Sequence, residues 1–132
     1  MSRDAFRSAV FKRDRNRCVM CGEAAVDAHH ILDRKLFPCG GYDVDNGASL
    51  CGACHLDAET TRTSPEDIRE AAGIRNIVLP DTLRSDVAYD KWGNQMNPDA
   101  TRSRGPLFRD EGARKALLAG GVLYDGTFGW DA

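Results

Sequence analysis

Four of the five cysteines form two pairs with identical spacing, Cys18/Cys21 and Cys51/Cys54. A Cys-x-x-Cys pair places two thiolates on one side of a tight turn, and two such pairs complete a tetrahedral site of the kind that holds structural zinc. The alternative is four unrelated buried thiols, since free cysteine is often buried. Two identical pairs in so short a chain favour zinc. Cys39 stands alone in a loop rich in proline and glycine, and we assign its thiol no role.

All three histidines lie on or beside this predicted zinc scaffold. His29 and His30 are adjacent and lie between the cysteine pairs, and His55 directly follows the last cysteine. A neutral imidazole titrates near physiological pH, so it can accept a proton or bind a metal ion. A single histidine is more simply explained as a hydrogen-bonded polar residue. Three of them around one metal scaffold indicate a reactive centre.

The order of these residues resembles the HNH endonuclease family in its zinc-stapled form, a type found in bacteria and bacteriophages. The resemblance covers roughly residues 17–60, and its matching elements are Cys18/Cys21, His29-His30-Ile31, Asn46-Gly47, Leu50-Cys51 and Cys54-His55. It implies a ββα-metal core, in which a β-hairpin packs on a helix with one catalytic divalent cation between them. It implies no function for residues 61–132.

The resemblance also implies a role for each residue of the predicted site. His30 would be the general base, and His29 and His55 would bind a catalytic cation such as Mg²⁺, Mn²⁺, Ni²⁺ or Zn²⁺. Asn46 would brace the loop and orient the base through backbone hydrogen bonds. Phosphodiester hydrolysis requires a deprotonated water, charge relief on the phosphate and help for the leaving 3′ oxygen. A neutral histidine and a histidine-bound cation can meet these needs.

Geometry sets two conditions on such a site. Consecutive strand residues point to opposite faces, so His29 and His30 can share one site only if the strand ends or distorts there. If the following segment is helical, Glu59 and Arg62 lie four and seven residues after His55 and on the same face. Glu59 would then hydrogen-bond His55, and Arg62 would contact the scissile phosphate. An ordinary exposed ion pair between Glu59 and Arg62 is the alternative.

Capping and turn signals predict the elements that must position these residues. Ser2 is a candidate N-cap for an N-terminal helix, and Ser64-Pro65 begins another helix that should end at Gly73. Between them we expect, in order, a strand at 24–32, a loop at 33–47, a strand at 48–50 and a helix at 52–60. Beyond them we expect a strand at 74–79, a helix at 110–119 and apolar tail segments at 122–124 and 128–130.

The predicted fold class is therefore α+β. A small ββα-metal core stapled by a four-cysteine zinc site would follow an N-terminal helix, and a mixed extension would complete the chain. We divide the sequence into an HNH nuclease core with its basic N-terminal helix at residues 1–62 and an extension of unknown role, packed on the core, at residues 63–132. With 132 residues, the chain has no room for two large cores.

Charge is distributed unevenly along the chain, although its net value is only −2. Residues 1–17 carry six arginines or lysines against two aspartates, a local charge of +4. A nucleic acid should therefore meet this basic segment, through Arg13, Arg15 and Arg17, and the bound metal ions. No apolar stretch is long enough to span a bilayer, and no secretory leader is visible, so we expect an intracellular, cytoplasmic protein without a membrane partner.

The resemblance implies a metal-dependent endonuclease that hydrolyses DNA, with double-stranded DNA as the first expectation, and that nicks one strand per active site. Cutting both strands would need two copies, which makes a homodimer possible. An alternative from another class is a non-catalytic, zinc-stabilised module that binds DNA or a protein. RNA cleavage is a third reading, because a metal-bound phosphate site does not itself choose between sugars.

Overall fold

The computed structural model of the protein describes residues 1–122. The tail segment predicted at 128–130, and residues 123 and 124 of the segment at 122–124, lie outside the described residues. In chain order the helices and strands are α1 (Arg3–Arg13), β1 (Asp27–His30), β2 (Gly47–Leu50), α2 (Gly52–Glu59), α3 (Pro65–Ala72), β3 (Ala88–Tyr89), β4 (Gln95–Met96), β5 (Arg102–Ser103) and α4 (Glu111–Ala119).

The α+β class is confirmed for the described part of the chain. Four helices accompany two small antiparallel sheets, a β1–β2 hairpin and a three-stranded β3–β4–β5 meander. Two short 3-10 turns, Arg34–Leu36 and Val44–Asn46, shape the loop between β1 and β2. Among these described helices, none is both long and apolar enough to cross a membrane.

Helix α1 begins at the predicted N-cap, where the Ser2 hydroxyl accepts a hydrogen bond from the Ala5 N–H at 3.1 Å. Its buried side chains are Phe6 and Val10. Both press against the start of β2, because a Cβ added to Gly47 would lie 2.5 Å from Val10 and 2.7 Å from Phe6. The helix can pack this closely across the hairpin only because residue 47 has no side chain.

The hairpin is shorter than its predicted first strand. Residues 24–32 were expected to be extended, but β1 covers only Asp27–His30, because β2 offers just four residues to pair with it. His29 lies opposite Ala48 in this register. The main core forms under the hairpin, and its buried members are Cys18, Ile31, Ala48, Leu50, Ala58 and Ile68.

Helix α3 starts and ends where the sequence signals predict, and α2 ends one residue before the end of the helix predicted at 52–60. Cys51 is the N-cap of α2, and Ser64 is the N-cap of α3. Gly73 ends α3 with a φ of +72°, a left-handed conformation that favours glycine. The predicted helix at 110–119 is also present, as α4.

The strand predicted at 74–79 is wrong. Its apolar residues suggested an extended, buried segment, but the structure assigns no strand to this part of the chain. The Ile74 N–H bonds back to the Arg69 carbonyl at 2.9 Å, which closes the end of α3. Ile77 remains 49% exposed. A strand needs a neighbour to bond with, and the described sheets form elsewhere.

Several hydrogen bonds join the C-terminal half of the described chain to the hairpin and α2. The Trp92 indole N–H donates to the Glu59 carbonyl at 2.9 Å, and Arg102 donates to the Thr61 hydroxyl at 3.0 Å. These contacts hold the loop before β4 and the strand β5 against the end of α2 and the residues that follow it.

Candidate metal centres

The four paired cysteines converge on one point. Their sulfur atoms all lie within 4.8 Å of one another, and the sulfurs of Cys21 and Cys51 are 3.6 Å apart. In a tetrahedral zinc site with Zn–S bonds of about 2.3 Å, sulfurs lie about 3.8 Å apart. The cluster is therefore placed to bind a metal ion, and its dimensions suit zinc.

A tight turn after Cys18 and the junction of β2 with α2 position these thiols. The turn after Cys18 is closed by a hydrogen bond from the Gly22 N–H to the Cys18 carbonyl at 2.9 Å, with Gly22 at a φ of +81°. Cys51 lies where β2 becomes α2, and Cys54 follows in the first turn of that helix. The four-cysteine cluster predicted from the two pairs therefore joins the turn after α1 to the hairpin and α2.

The thiols of the cluster differ in how readily they ionise. Burial, together with the three neighbouring thiols, raises the pKa of Cys54. Burial also raises the pKa of Cys18, but hydrogen bonds from the backbone of Cys51, Cys21 and Met20 outweigh it and lower that pKa to about 7. A divalent cation would stabilise all four thiolates at once.

A second convergence of ligand atoms involves His29 on β1 and His55 and Glu59 on α2. One ligand atom from each residue lies within 4.8 Å of the others. The Glu59 Oε1 atom is 3.0 Å from His55 Nε2 and 3.5 Å from His29 Nδ1. Ligands held about 2.1 Å from one cation lie about 3.0 Å apart at right angles and about 3.4 Å apart in a tetrahedron. We call these three residues the histidine–glutamate group.

His29 is the most buried member of this group, with 2% of its surface exposed. Neither of its ring nitrogens has a hydrogen-bond partner among the described residues, and the 3.5 Å approach of Glu59 lacks hydrogen-bond geometry. Burial lowers the pKa of His29 to about 4, although the Glu59 carboxylate opposes this shift. The imidazole is therefore neutral at physiological pH and has an unshared lone pair to offer a metal.

His55 is held between two carboxylates. Its Nε2 atom faces Glu59, and its Nδ1 atom lies 3.1 Å from Asp27 Oδ2. The contact with Glu59 is the main cause that raises the pKa of His55, and Asp27 acts in the same direction. A carboxylate on one ring nitrogen fixes the ring so that the other nitrogen can bind a metal.

Glu59 hydrogen-bonds His55 as the sequence predicted, at 3.0 Å between Oε1 and Nε2. The same Oε1 atom is also a corner of the histidine–glutamate group, which the sequence did not predict. Burial by itself would raise the pKa of Glu59, but the contacts with His29 and His55 and the charge of Lys91 outweigh it and lower the pKa. The carboxylate is therefore ionised and available as a ligand.

Sequence reasoning missed two residues of this centre. Lys91 is 4% exposed, and its Nζ atom lies 2.8 Å from Asp33 Oδ1 and 3.3 Å from Glu59 Oε1. No local pattern links it to the hairpin. Asp27 did carry a signal, because it lies two residues before His29 and therefore on the same face of the strand.

His30 lies on the other face of the hairpin. β1 ends at this residue, but His30 still pairs with Gly47, so the backbone does not distort to bring both imidazoles together. The ring of His30 stacks on Phe6 at 4.7 Å between centroids, with Tyr42 edge-on at 5.1 Å. Its Nε2 atom is buried and has no hydrogen-bond partner among the described residues. Burial, followed by the charge of Lys91, lowers the pKa of His30.

Asn46 is 1% exposed and ties the loop to the end of β1. Its side-chain oxygen accepts from the Leu32 N–H at 3.0 Å, and its amide donates to the carbonyls of Leu32 at 3.1 Å and Gly41 at 3.2 Å. Its own backbone carbonyl accepts from the Ile31 N–H at 2.8 Å. These bonds fix the backbone that directly follows His30.

The four arginines predicted to contact nucleic acid differ in how far their side chains are already bonded within the protein. Arg13 donates to the carbonyls of Val44 and Gly47, both at 2.7 Å, so its guanidinium ties α1 to the loop and to the start of β2. Arg62 donates to the Ala119 carbonyl at 3.3 Å, at the end of α4. Arg15 and Arg17 are exposed beyond the end of α1.

Comparisons with protein-family models, with curated proteins and with solved structures give no match to this chain.

Proposed function

We propose that this protein is a metal-dependent endonuclease of the HNH type that hydrolyses DNA phosphodiester bonds, one strand per active site. Its main support is His29, an almost fully buried imidazole whose two nitrogens have no hydrogen-bond partner within residues 1–122 and which lies beside His55 and Glu59. Leaving buried polar atoms unpaired costs about 1–3 kcal/mol each. Such an arrangement is expected where a bound cation completes the site.

The four-cysteine cluster would hold structural zinc in this proposal. It joins the turn after α1 to the junction of β2 and α2, the two segments that flank the hairpin. Zinc bound there would stabilise the fold, because the ligands come together only in the folded chain. It would leave the histidine–glutamate group free to hold a second cation.

The histidine–glutamate group suits a catalytic cation for a second reason. Two histidines and one carboxylate leave coordination positions open for water or substrate. The side chains of His55 and Glu59 are each 30% exposed, so the group opens to solvent on the α2 side. A cation bound there would supply charge stabilisation for the phosphodiester oxygens and for the leaving 3′ oxygen.

His30 would act as the general base through its imidazole ring, which lines a surface cavity on that face of the hairpin. Because its pKa is lowered, the imidazole is neutral and can accept a proton from water. The hairpin has two strands, so β1 has an open outer edge around which its two faces meet. A phosphodiester that crosses this edge at Asp27 would be reached by His30 from one face and by the histidine–glutamate group from the other.

Nicking of supercoiled plasmid DNA tests this function. We expect the wild-type protein to convert plasmid to the open circle with Mg²⁺, Mn²⁺, Ni²⁺ or Zn²⁺. His30→Ala should lower the rate by roughly 100-fold or more, because a general base contributes about that much. Glu59→Gln should raise the metal concentration needed, whereas the matched control Asp57→Asn, on the same helix, should behave as wild type.

Two outcomes would contradict the proposal. A zinc-loaded, folded wild type that cuts no DNA with any of these metals would favour a non-catalytic binding module. A His30→Ala variant that nicks at the wild-type rate would remove the assigned base. Circular dichroism and the zinc content of each variant separate these outcomes from simple misfolding, and RNA of the same sequence tests the choice of sugar.

A further inference from the structure

A surface cavity of about 300 Å³ lies on the His30 side of β1. Three arginines line it: Arg3 and Arg7 from the first two turns of α1, and Arg34 from the 3-10 turn after β1. The ring of His30 forms part of its wall. We call this space the arginine cavity.

Two of these guanidinium groups are free to bind a ligand. Arg3 and Arg34 are exposed, and neither side chain makes a hydrogen bond or ion pair within residues 1–122. Arg7 is partly occupied, because it donates to the Val26 carbonyl at 3.2 Å and lies 4.6 Å above the Phe11 ring. The cavity therefore offers unsatisfied fork-shaped donors of the kind that bind phosphate oxygens.

The charge around the cavity favours an anion. Three arginines face a single lining carboxylate, Asp27, which also contacts His55. Arg3 is the first residue of α1, so the positive end of the helix dipole adds to the same potential. Asp27 belongs both to the cavity wall and to the surroundings of the histidine–glutamate group, so the two sites meet at the outer edge of β1.

We infer that the arginine cavity binds a phosphodiester group of the DNA strand, so that the strand crosses the outer edge of β1 at Asp27. This inference rests on the proposed function and adds where the backbone is held. Arg3 and Arg34 grip the phosphate, and Arg7 supports them from the wall of the cavity. The basic residues beyond α1, Arg15 and Arg17, are not the principal contact.

Binding of a fluorescent duplex of about 20 base pairs, measured without added divalent cation at several salt concentrations, tests this inference. Each lost phosphate contact should lower the slope of log affinity against log salt by about 0.9. Arg3→Gln/Arg34→Gln should therefore lower the slope by about 2 and weaken binding about tenfold or more at low salt. Arg75→Gln/Arg109→Gln removes the same charge from exposed sites outside the cavity and should have little effect.

A second pair, Arg15→Gln/Arg17→Gln, tests the competing surface. The inference is overturned if this pair weakens binding more than the cavity pair, if the cavity pair matches the Arg75→Gln/Arg109→Gln control, or if the wild type binds no DNA. It is supported if the cavity pair has the largest effect.

Plasmid nicking separates failure of this inference from failure of the proposed function. If the inference holds, the cavity pair should raise KM with little change in kcat. Normal nicking with an unchanged KM in the cavity pair would overturn the inference and leave the function standing. Absent nicking by the wild type, together with DNA binding lost only in the cavity pair, would overturn the function and support the phosphate site.

Discussion

His29 and His30 are adjacent residues with different surroundings, and the pleat of β1 is the cause. His29 faces α2 and meets His55 and Glu59, whereas His30 faces α1 and stacks on Phe6. Each imidazole is neutral at physiological pH because burial lowers its pKa. One dipeptide therefore presents two neutral imidazoles on opposite faces of the hairpin, a candidate metal ligand at His29 and a candidate proton acceptor at His30.

The cysteines allow a matched test at the same scale. Cys51→Ser removes a ligand whose thiol also caps α2, so we expect loss of zinc and unfolding of the hairpin and α2. Cys39→Ser changes an exposed thiol outside the cluster and should retain both zinc and stability. Metal analysis and thermal unfolding followed by circular dichroism measure the two effects. A Cys51→Ser protein of normal stability without zinc would refute a structural metal at this site.

Close packing between elements depends on the absence of a side chain at residue 47. Helix α1 crosses the start of β2 so closely that Phe6 and Val10 occupy the space of a Cβ there. The same helix carries Arg3 and Arg7 into the arginine cavity and places Phe6 under His30. The position of α1 thus controls both the predicted base and the predicted phosphate site.

Substitution of this glycine tests the packing of α1 on the hairpin. Gly47→Ala should lower the free energy of unfolding by about 2 kcal/mol, because the new methyl group overpacks a filled space. It should also weaken nicking, since α1 must move away from His30. Gly52→Ala is the control, because nothing lies within 4 Å of its added Cβ at the start of α2. Chemical denaturation measures both, and equal effects of the two variants would contradict this account.

At the scale of the whole described chain, the C-terminal half reaches the candidate site through Lys91. Its ammonium group lies between the carboxylates of Asp33 and Glu59, and the neighbouring Trp92 bonds to the backbone of Glu59. Asp33 follows β1 after two apolar residues, Ile31 and Leu32. Its own N–H donates to the Lys91 carbonyl at 2.9 Å. The loop before β4 therefore contributes to the electrostatics of the histidine–glutamate group.

Removal of this buried ammonium group tests the connection. Lys91→Met should lower the free energy of unfolding by about 3 kcal/mol, because Asp33 would keep a buried charge without its partner. Arg84→Met breaks a comparable ion pair with Asp86 that is exposed to solvent, so it should change stability little. Urea denaturation of both variants measures the difference. Similar stabilities for the two would mean that the buried pair does not hold the C-terminal half in place.

Local signals in the sequence determined much of the scaffold. The cysteine spacing indicated the four-thiol cluster, the serine caps indicated the starts of α1 and α3, and Gly73 indicated the end of α3. The spacing within each cysteine pair and each cap involves residues a few positions apart, so a short stretch of sequence contains that signal. The meeting of Cys21 with Cys51, 30 positions apart, depends on the fold. The strand predicted at 74–79 failed because strand formation also requires a distant partner, which the apolar pattern does not reveal.

Tertiary structure alone decided the composition of the candidate sites. It made Glu59 a corner of the histidine–glutamate group, brought Lys91 to Asp33 across 58 positions, and turned Arg13 into a clamp on loop carbonyls. It also gathered Arg3, Arg7 and Arg34 around one cavity. The type of a residue states which bonds it can form. Its partners depend on how distant segments pack, and this packing exists only in the folded chain.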